Sequence, residues 1–179
     1  MKIALTGHTS GIGKALYDIL SKDHEVVCFS RSNGYNIQDD NIKELIVQES
    51  LQCDVFINNA YYEMAQVDIL NKLWDFWARD KSKTIVNISS LSKYPGISGN
   101  TSGYSAHKAA LSHQAFLLMF KGNRKCRMIN VNPGYVESKM TQGVNANMLT
   151  APECAEQIAH AINLPQHIEI GELSLWRPY

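Results

Sequence analysis

Short apolar runs alternate along this chain with stretches in which apolar residues recur every three or four positions. Ile3-Ala4-Leu5, Glu25–Ser30, Cys53–Asn58, Lys83–Ile88, Cys126–Val131 and Ile168–Trp176 are runs of the first kind and read as strands. The second kind begins with Ile12, Ala15, Leu16, Ile19 and Leu20, which fall on one helical face. Asp40–Glu49 reads as a short helix with Ile42, Leu45 and Ile46 inward, and Gln66–Asp80 as one with Leu70, Leu73, Trp74 and Trp77 on a single stripe. Gly103–Phe120 is the longest helical stretch, carrying Ala106, Ala109, Ala110, Phe116, Leu117 and Phe120 and stopped by Gly122-Asn123. Pro152–Ile162 has its proline in the first turn, where no amide donor is needed. Strands alternating with helices predict an α/β fold, a doubly wound parallel sheet with helices on both faces.

One interval breaks the alternation. Asn33-Gly34 is a turn, and Tyr35-Asn36-Ile37 follows almost at once. A parallel crossover needs a dozen or more residues, so no helix fits between the second strand and a third. The third strand is a stub or is absent, which gives a sheet of six to seven strands.

The chain of 179 residues is long enough for one domain with a real core, residues 1–179, and not for two. Its 17 basic and 17 acidic residues balance, with no basic run or stripe, which argues against a nucleic-acid partner. No apolar segment approaches membrane-spanning length, and the N-terminal apolar run is too short for a signal peptide. Cys28, Cys53, Cys126 and Cys154 are scattered and read as reduced thiols of a cytoplasmic protein. The six histidines show no metal-ligand spacing; His107 and His113 share a helix but stand six apart with no carboxylate nearby.

The candidate chemistry begins at the N-terminus. Ile3-Ala4-Leu5 runs into Gly7, Thr9, Ser10, Gly11, Ile12 and Gly13, and thence into the first helix. A strand, a glycine turn and a helix start suit a phosphate, because the helix end offers unpaired N–H groups and glycine allows close backbone approach. The second strand closes on Ser30 followed by Arg31. An acid at such a strand end would accept from a ribose 2′-hydroxyl and repel a 2′-phosphate, whereas Arg does the reverse, so the pair favours NADP(H).

Tyr104 and Lys108 lie four apart on the longest helix and so share a face. Ser90 ends the strand just before it, and ligands of open parallel sheets sit at the carboxyl ends of strands. Tyr135 and Lys139 repeat the spacing, but they follow Pro133-Gly134 in a loop without helical periodicity. Carbonyl reduction leaves an alkoxide that must be protonated. A phenol beside an ammonium is a suitable acid, since the charge lowers the phenol's pKa toward the working range. A serine hydroxyl can orient the substrate oxygen and stabilise its developing charge.

Taken with Asn58-Asn59-Ala60 at the end of the 53–58 strand, these motifs resemble those of the short-chain dehydrogenase/reductase family over essentially the whole chain. The resemblance implies a Rossmann-like fold in which Tyr104 is the acid/base, Ser90 the substrate-oxygen ligand and Lys108 the anchor of the nicotinamide ribose. It further implies that Asn36 sits beside the adenine, that Asn58, Asn59 and Ala60 flank the cofactor, and that Pro133-Gly134 lies against the nicotinamide with Val136 and Ser138 at its carboxamide. The helices at 66–80 and 103–120 would pair subunits in a homodimer or homotetramer, part of the Trp stripe at their interface. The chain departs from the family pattern in several places: it is short, it lacks the second helix, the stretch between Asn59 and Ser90 is compressed, and Asn36 and Ser138 stand where Asp and Thr are usual. Tyr61 stands where glycine is usual. The only Asn of the 66–80 helix, Asn71, sits poorly for the family's usual proton relay. The substrate lid, about 138–150 with Met140, Val144, Met148 and Leu149, is small. The expected function is NADP(H)-dependent hydride transfer to or from a small carbonyl or alcohol; the alternative is a catalytically weak NADP(H)-binding sensor or interaction protein.

Overall fold

The computed structural model describes residues 1–95 and 103–178. Six parallel strands form one sheet: β1 (Lys2–Thr6), β2 (Glu25–Phe29), β3 (Val55–Asn58), β4 (Thr84–Ile88), β5 (Arg127–Pro133) and β6 (Glu172–Leu175), in spatial order β2-β1-β3-β4-β5-β6. The helices are α1 (Gly11–Leu20), α2 (Asp40–Ser50), α3 (Ala65–Trp77), α4 (Gly103–Met119) and α5 (Ala151–Asn163). Leu16 and Leu20 of α1 join Ile158 and Ile162 of α5 over one sheet face, against Ile3, Leu5, Val86 and Ile129. Ile46, Leu70, Leu73 and Leu118 cover the other face, against Ala4, Phe56, Ile85 and Met128. The inner strands are buried on both faces, which is why they read as unbroken apolar runs.

The stub of a third strand is absent. Tyr35-Asn36-Ile37 forms no strand pairing; Ile37 is buried and Tyr35 packs edge-on against Phe29 at 4.8 Å between centroids. The segment is spent covering the edge strand β2, so the sheet stops at six. The inward face of α2 also differs from the sequence expectation, for Leu45 is exposed while Lys43, Ile46 and Val47 are buried. The Lys43 stem lies in the α2–α3 seam because its ammonium reaches Asp40 at 2.6 Å and Asp68 at 2.7 Å. The stripe Leu70, Leu73, Trp74 and Trp77 is buried inside this chain's own core and offers no surface to a second subunit. On α4 the core side is Leu111, Ser112, Ala115, Leu118 and Met119, which leaves Leu117 and Phe120 exposed.

Pro152 stands at the start of α5 as its position in the pattern predicts, and Thr150 and Glu153 close a capping box there. All four cysteines are free thiols. Among the described residues no cluster of three potential metal ligands occurs, and no helix is long and apolar enough to cross a membrane. Most of the Ser/Pro/Gly-rich loop that precedes α4 lies outside the described residues.

Candidate active site

Both halves of the candidate site grow from the carboxyl ends of β1, β3, β4 and β5. At the end of β1 the chain turns through Gly7 with φ +74° and Gly11 with φ +53°, backbone that favours glycine. Gly13 is required by space instead: a Cβ there would lie 2.0 Å from the Gly7 carbonyl oxygen. Ser10 caps α1 without a side-chain hydrogen bond, and the first turn carries no acid. Thr9 and Ser10 are exposed, Ile12 is half-buried, and Nδ1 of His8 is buried in the loop without a partner. A tight glycine cradle opening onto a helix start with free donors fits the phosphates of a dinucleotide.

Asn59 and Ala60 tie this loop to β3. Their backbone N–H groups donate to Thr6 Oγ1 at 2.8 and 2.9 Å, and Asn59 Nδ2 donates to the carbonyls of Thr6 and Gly7 at 2.9 and 3.1 Å. The Asn58 side chain serves the sheet: its Nδ2 donates to the Gln66 carbonyl at 2.8 Å and to Asn87 Oδ1 at 3.2 Å. At the end of β2, buried Ser30 bonds to Ser32 and Asn33 and so opens a 3-10 turn that begins with exposed Arg31. No carboxylate pairs with Arg31 among the described residues. Asn36 is half-buried and engages Gln38.

Ser90, Tyr104 and Lys108 come together. Ser90 extends from the end of β4, where its Oγ accepts from Ser92 N at 3.1 Å and faces the Pro133 carbonyl at 3.4 Å. A side-chain hydrogen bond joins it to Tyr104, and the Lys108 ammonium lies 5.6 Å from the Tyr104 ring centroid. Lys108 is 3% exposed and donates to the Ile88 carbonyl at 2.7 Å and to Gln66 Oε1 at 2.6 Å. The neighbouring Ser89 holds α4 in place by donating to the Lys108 carbonyl at 3.0 Å.

The electrostatics differ from the sequence expectation. Burial pushes the Lys108 pKa down to about 7. Burial raises the Tyr104 phenol above its ordinary value, and the Ser90 hydrogen bond opposes that only in part. Among the described residues no carboxylate pairs with the lysine, so the ammonium is a weaker perturber of the phenol than its place one helical turn away suggests.

Three residues at this site escape the motif reading. Gln66 is 2% exposed, and besides accepting from Lys108 it donates through Nε2 to the carbonyls of Asn58 at 2.7 Å and Ile88 at 3.1 Å. It lies on the stripe of Ile69, Leu70 and Leu73, and a polar residue on an apolar stripe is the signal that could have found it. Tyr61 packs edge-to-face on Tyr104 at 4.8 Å between centroids, and its hydroxyl meets His107 Nδ1 at 3.0 Å. Asn71, by contrast, accepts from Gln114 at 2.6 Å on the exposed side of α3.

Beyond β5, Gly134 donates to the Leu175 carbonyl at 2.7 Å, and a Cβ there would lie 3.2 Å from Trp176 and 3.5 Å from Leu91. Val136 is buried and forms a bridge with Leu149. Ser138 is exposed and caps the 3-10 turn Lys139–Thr141, accepting from Met140 N at 3.2 Å. Tyr135 and Lys139 are built into this loop and form no counterpart of the Tyr104–Lys108 pair. A groove of about 360 Å³ runs between the loop and the C-terminal strand, lined by Leu149, Ser174, Leu175, Trp176 and Pro178.

No curated protein sequence matches the chain. The model of the short chain dehydrogenase family matches residues 64–149, the span that carries Ser90, Tyr104 and Lys108. Among solved structures the chain is similar to the 3-alpha-hydroxysteroid dehydrogenase of Pseudomonas sp. B-0831 complexed with NADH, with TM-score 0.82 at 20% identity, covering 98% of this chain and 95% of that one. It is also similar to a short chain dehydrogenase of Burkholderia cenocepacia J2315 in complex with NADP, with TM-score 0.81 at 17% identity, covering 97% and 86%. Serine dehydrogenase of Escherichia coli matches with TM-score 0.77 at 18% identity, covering 99% and 98%. The chain shares the six-stranded parallel α/β fold of these neighbours, and across residues 64–149, which carry the Ser-Tyr-Lys constellation, it is similar to the short chain dehydrogenase family.

Proposed function

We propose that this protein is an NADP(H)-dependent oxidoreductase that reduces a small carbonyl compound, or oxidises the corresponding alcohol, at Ser90, Tyr104 and Lys108. The observation that carries the reading is the hydrogen bond between Ser90 and Tyr104 with the Lys108 ammonium 5.6 Å from the phenol ring. The dinucleotide supplies or takes the hydride.

This chain's own residues do the rest. The glycine loop Gly7–Gly13 would hold the phosphates, and Arg31 would meet a 2′-phosphate with no acid at the strand end to repel it. Ser90 would donate a hydrogen bond to the substrate oxygen. Tyr104 would give that oxygen its proton as the carbonyl carbon receives the hydride. A phenol held above its ordinary pKa is protonated at neutral pH and so is ready as an acid. Reduction is therefore the direction this resting site favours near neutrality, and alcohol oxidation, which needs the phenolate, should rise with pH. Lys108 would hold the nicotinamide ribose, and Pro133-Gly134 would back the ring.

The segment 138–150 would act as a short lid beside the groove at Leu149 and Trp176. An oligomer built on α3 and α4 would have to use Phe76, Leu117 and Phe120, which are exposed, because the Trp stripe is not.

The test is NADPH oxidation by the purified protein across a panel of aldehydes, ketones and quinones. Turnover with one class, and a preference for NADPH over NADH, is the expected result. Tight dinucleotide binding with no turnover across the panel would contradict it and make the protein a binding module.

A further inference from the structure

Among the described residues the Lys108 ammonium has two of its three N–H bonds committed, to Gln66 and to Ile88. Its remaining side faces two aromatic rings, with Tyr61 at 5.2 Å and Tyr104 at 5.6 Å from Nζ to the centroids. Tyr61 is anchored there at three points. Its ring makes a T-shaped contact with Tyr104, its face meets the ammonium, and its hydroxyl is bonded to His107 Nδ1 at 3.0 Å. His107 in turn folds back over the start of α4: a Cβ at Gly103 would lie 3.2 Å from the imidazole. Glu63, two residues beyond Tyr61, has φ +39°, the only non-glycine residue with positive φ among those described. Such backbone is strained and is held by its surroundings.

We propose that Tyr61 is a movable cover on Lys108, latched by His107, and that the nicotinamide-side ribose must displace it to reach the ammonium. The inference rests on the reading of Lys108 as the ribose anchor. The ribose hydroxyls and the Tyr61 ring compete for the one open side of the same cation. In the closed state the ring shields Lys108 from water. Opening costs the phenol–imidazole hydrogen bond and the edge-to-face contact, and the strained turn at Glu63 is where the loop can relax. Dinucleotide binding therefore carries a penalty set by Tyr61, and that penalty falls on the nicotinamide half alone.

The test is equilibrium binding of NADPH and of adenosine 2′,5′-bisphosphate to the wild-type chain, Tyr61→Ala, Tyr61→Phe and His107→Ala, with circular dichroism confirming that each is folded. The bisphosphate reaches the glycine loop but carries no nicotinamide ribose, so it reports any effect unrelated to the cover. Tyr61→Ala should bind NADPH about tenfold tighter, the size expected when one hydrogen bond and one aromatic contact need not be broken first. Tyr61→Phe and His107→Ala, which remove only the latch, should each gain about threefold. Bisphosphate affinity should stay within about twofold throughout. Equal or weaker NADPH binding by Tyr61→Ala, or a gain shared by the bisphosphate, overturns the cover and leaves the cofactor reading intact. Binding of the bisphosphate with no NADPH binding by any variant overturns the ribose-anchor reading together with the cover.

Discussion

Lys108 Nζ donates to Gln66 Oε1 across 2.6 Å, and this contact joins α4, which carries the candidate acid, to α3 on the same face of the sheet. Gln66 is a neutral partner, so it satisfies the ammonium's geometry without adding to its charge stability. Gln66→Glu should raise the Lys108 pKa from about 7 toward the ordinary lysine range, because a carboxylate beside the ammonium favours the charged form. Gln66→Leu should lower the pKa further and cost about 2–4 kcal/mol, since the carbonyls of Asn58 and Ile88 lose a donor and Lys108 an acceptor. Carbon-13 NMR of the lysine ε-methylene reads the first effect, and urea unfolding the second. An unmoved Lys108 titration in Gln66→Glu would show that the contact is not formed.

Lys108 also makes stability depend on pH in a stated direction. Its folded pKa is about 7 against an unfolded value of 10.5, so between these limits the unfolded chain holds a proton that the folded chain lacks. Stability then rises with pH across that window, by at most about 1.4 kcal/mol per unit from this group. The buried thiols act oppositely, since burial raises them and the unfolded chain loses their protons first. Comparison with Lys108→Met removes that background. Urea midpoints measured from pH 6.5 to 9.5 should give a wild-type-minus-variant stability difference that increases with pH. A flat difference would mean that the lysine titrates normally.

Gly13→Ala tests the cradle. A Cβ would lie 2.0 Å from a backbone oxygen of Gly7 and 2.5 Å from Asn59 Nδ2, so the turn must open. The expected cost is about 2 kcal/mol of stability and at least about tenfold in NADPH affinity. Gly11→Ala at φ +53° has open space around it and should cost about 1 kcal/mol through backbone strain alone.

Arg31→Ala tests the cofactor preference. Arg31 is exposed at the first position after β2 and makes no ion pair among the described residues. Its loss should weaken NADPH binding about tenfold or more and leave NADH within about twofold, read by parallel titrations. Equal losses for both would place the arginine away from the 2′-phosphate.

The order of strands and helices was legible because each inner strand is buried on both faces and each helix carries an apolar stripe. Ser90, Tyr104 and Lys108 were legible because two sit one helical turn apart and the third closes a strand, so backbone geometry alone brings them near one another. Gln66 left only the trace of a polar residue on an apolar stripe, and Tyr61 left no hint of its contacts, because their partners depend on side-chain reach from α3 and the β3–α3 loop to α4. The inward face of α2 was misread because an ion pair to Asp68, distant in sequence, draws Lys43 into the seam at Leu45's expense. The phenol's direction of shift was misread for a related reason. The motif brings an ammonium near the phenol, but burial without a carboxylate decides how charged that ammonium is.

Tyr104→Phe is the most direct measurement on the whole account, because it removes one oxygen and leaves the ring packed against Tyr61. The variant should bind NADPH within about twofold of the wild type and lose carbonyl reduction by about a thousandfold, the scale of a missing general acid. Turnover equal to wild type, with the substrate that the wild type reduces best, would contradict the assignment of the phenol as proton donor.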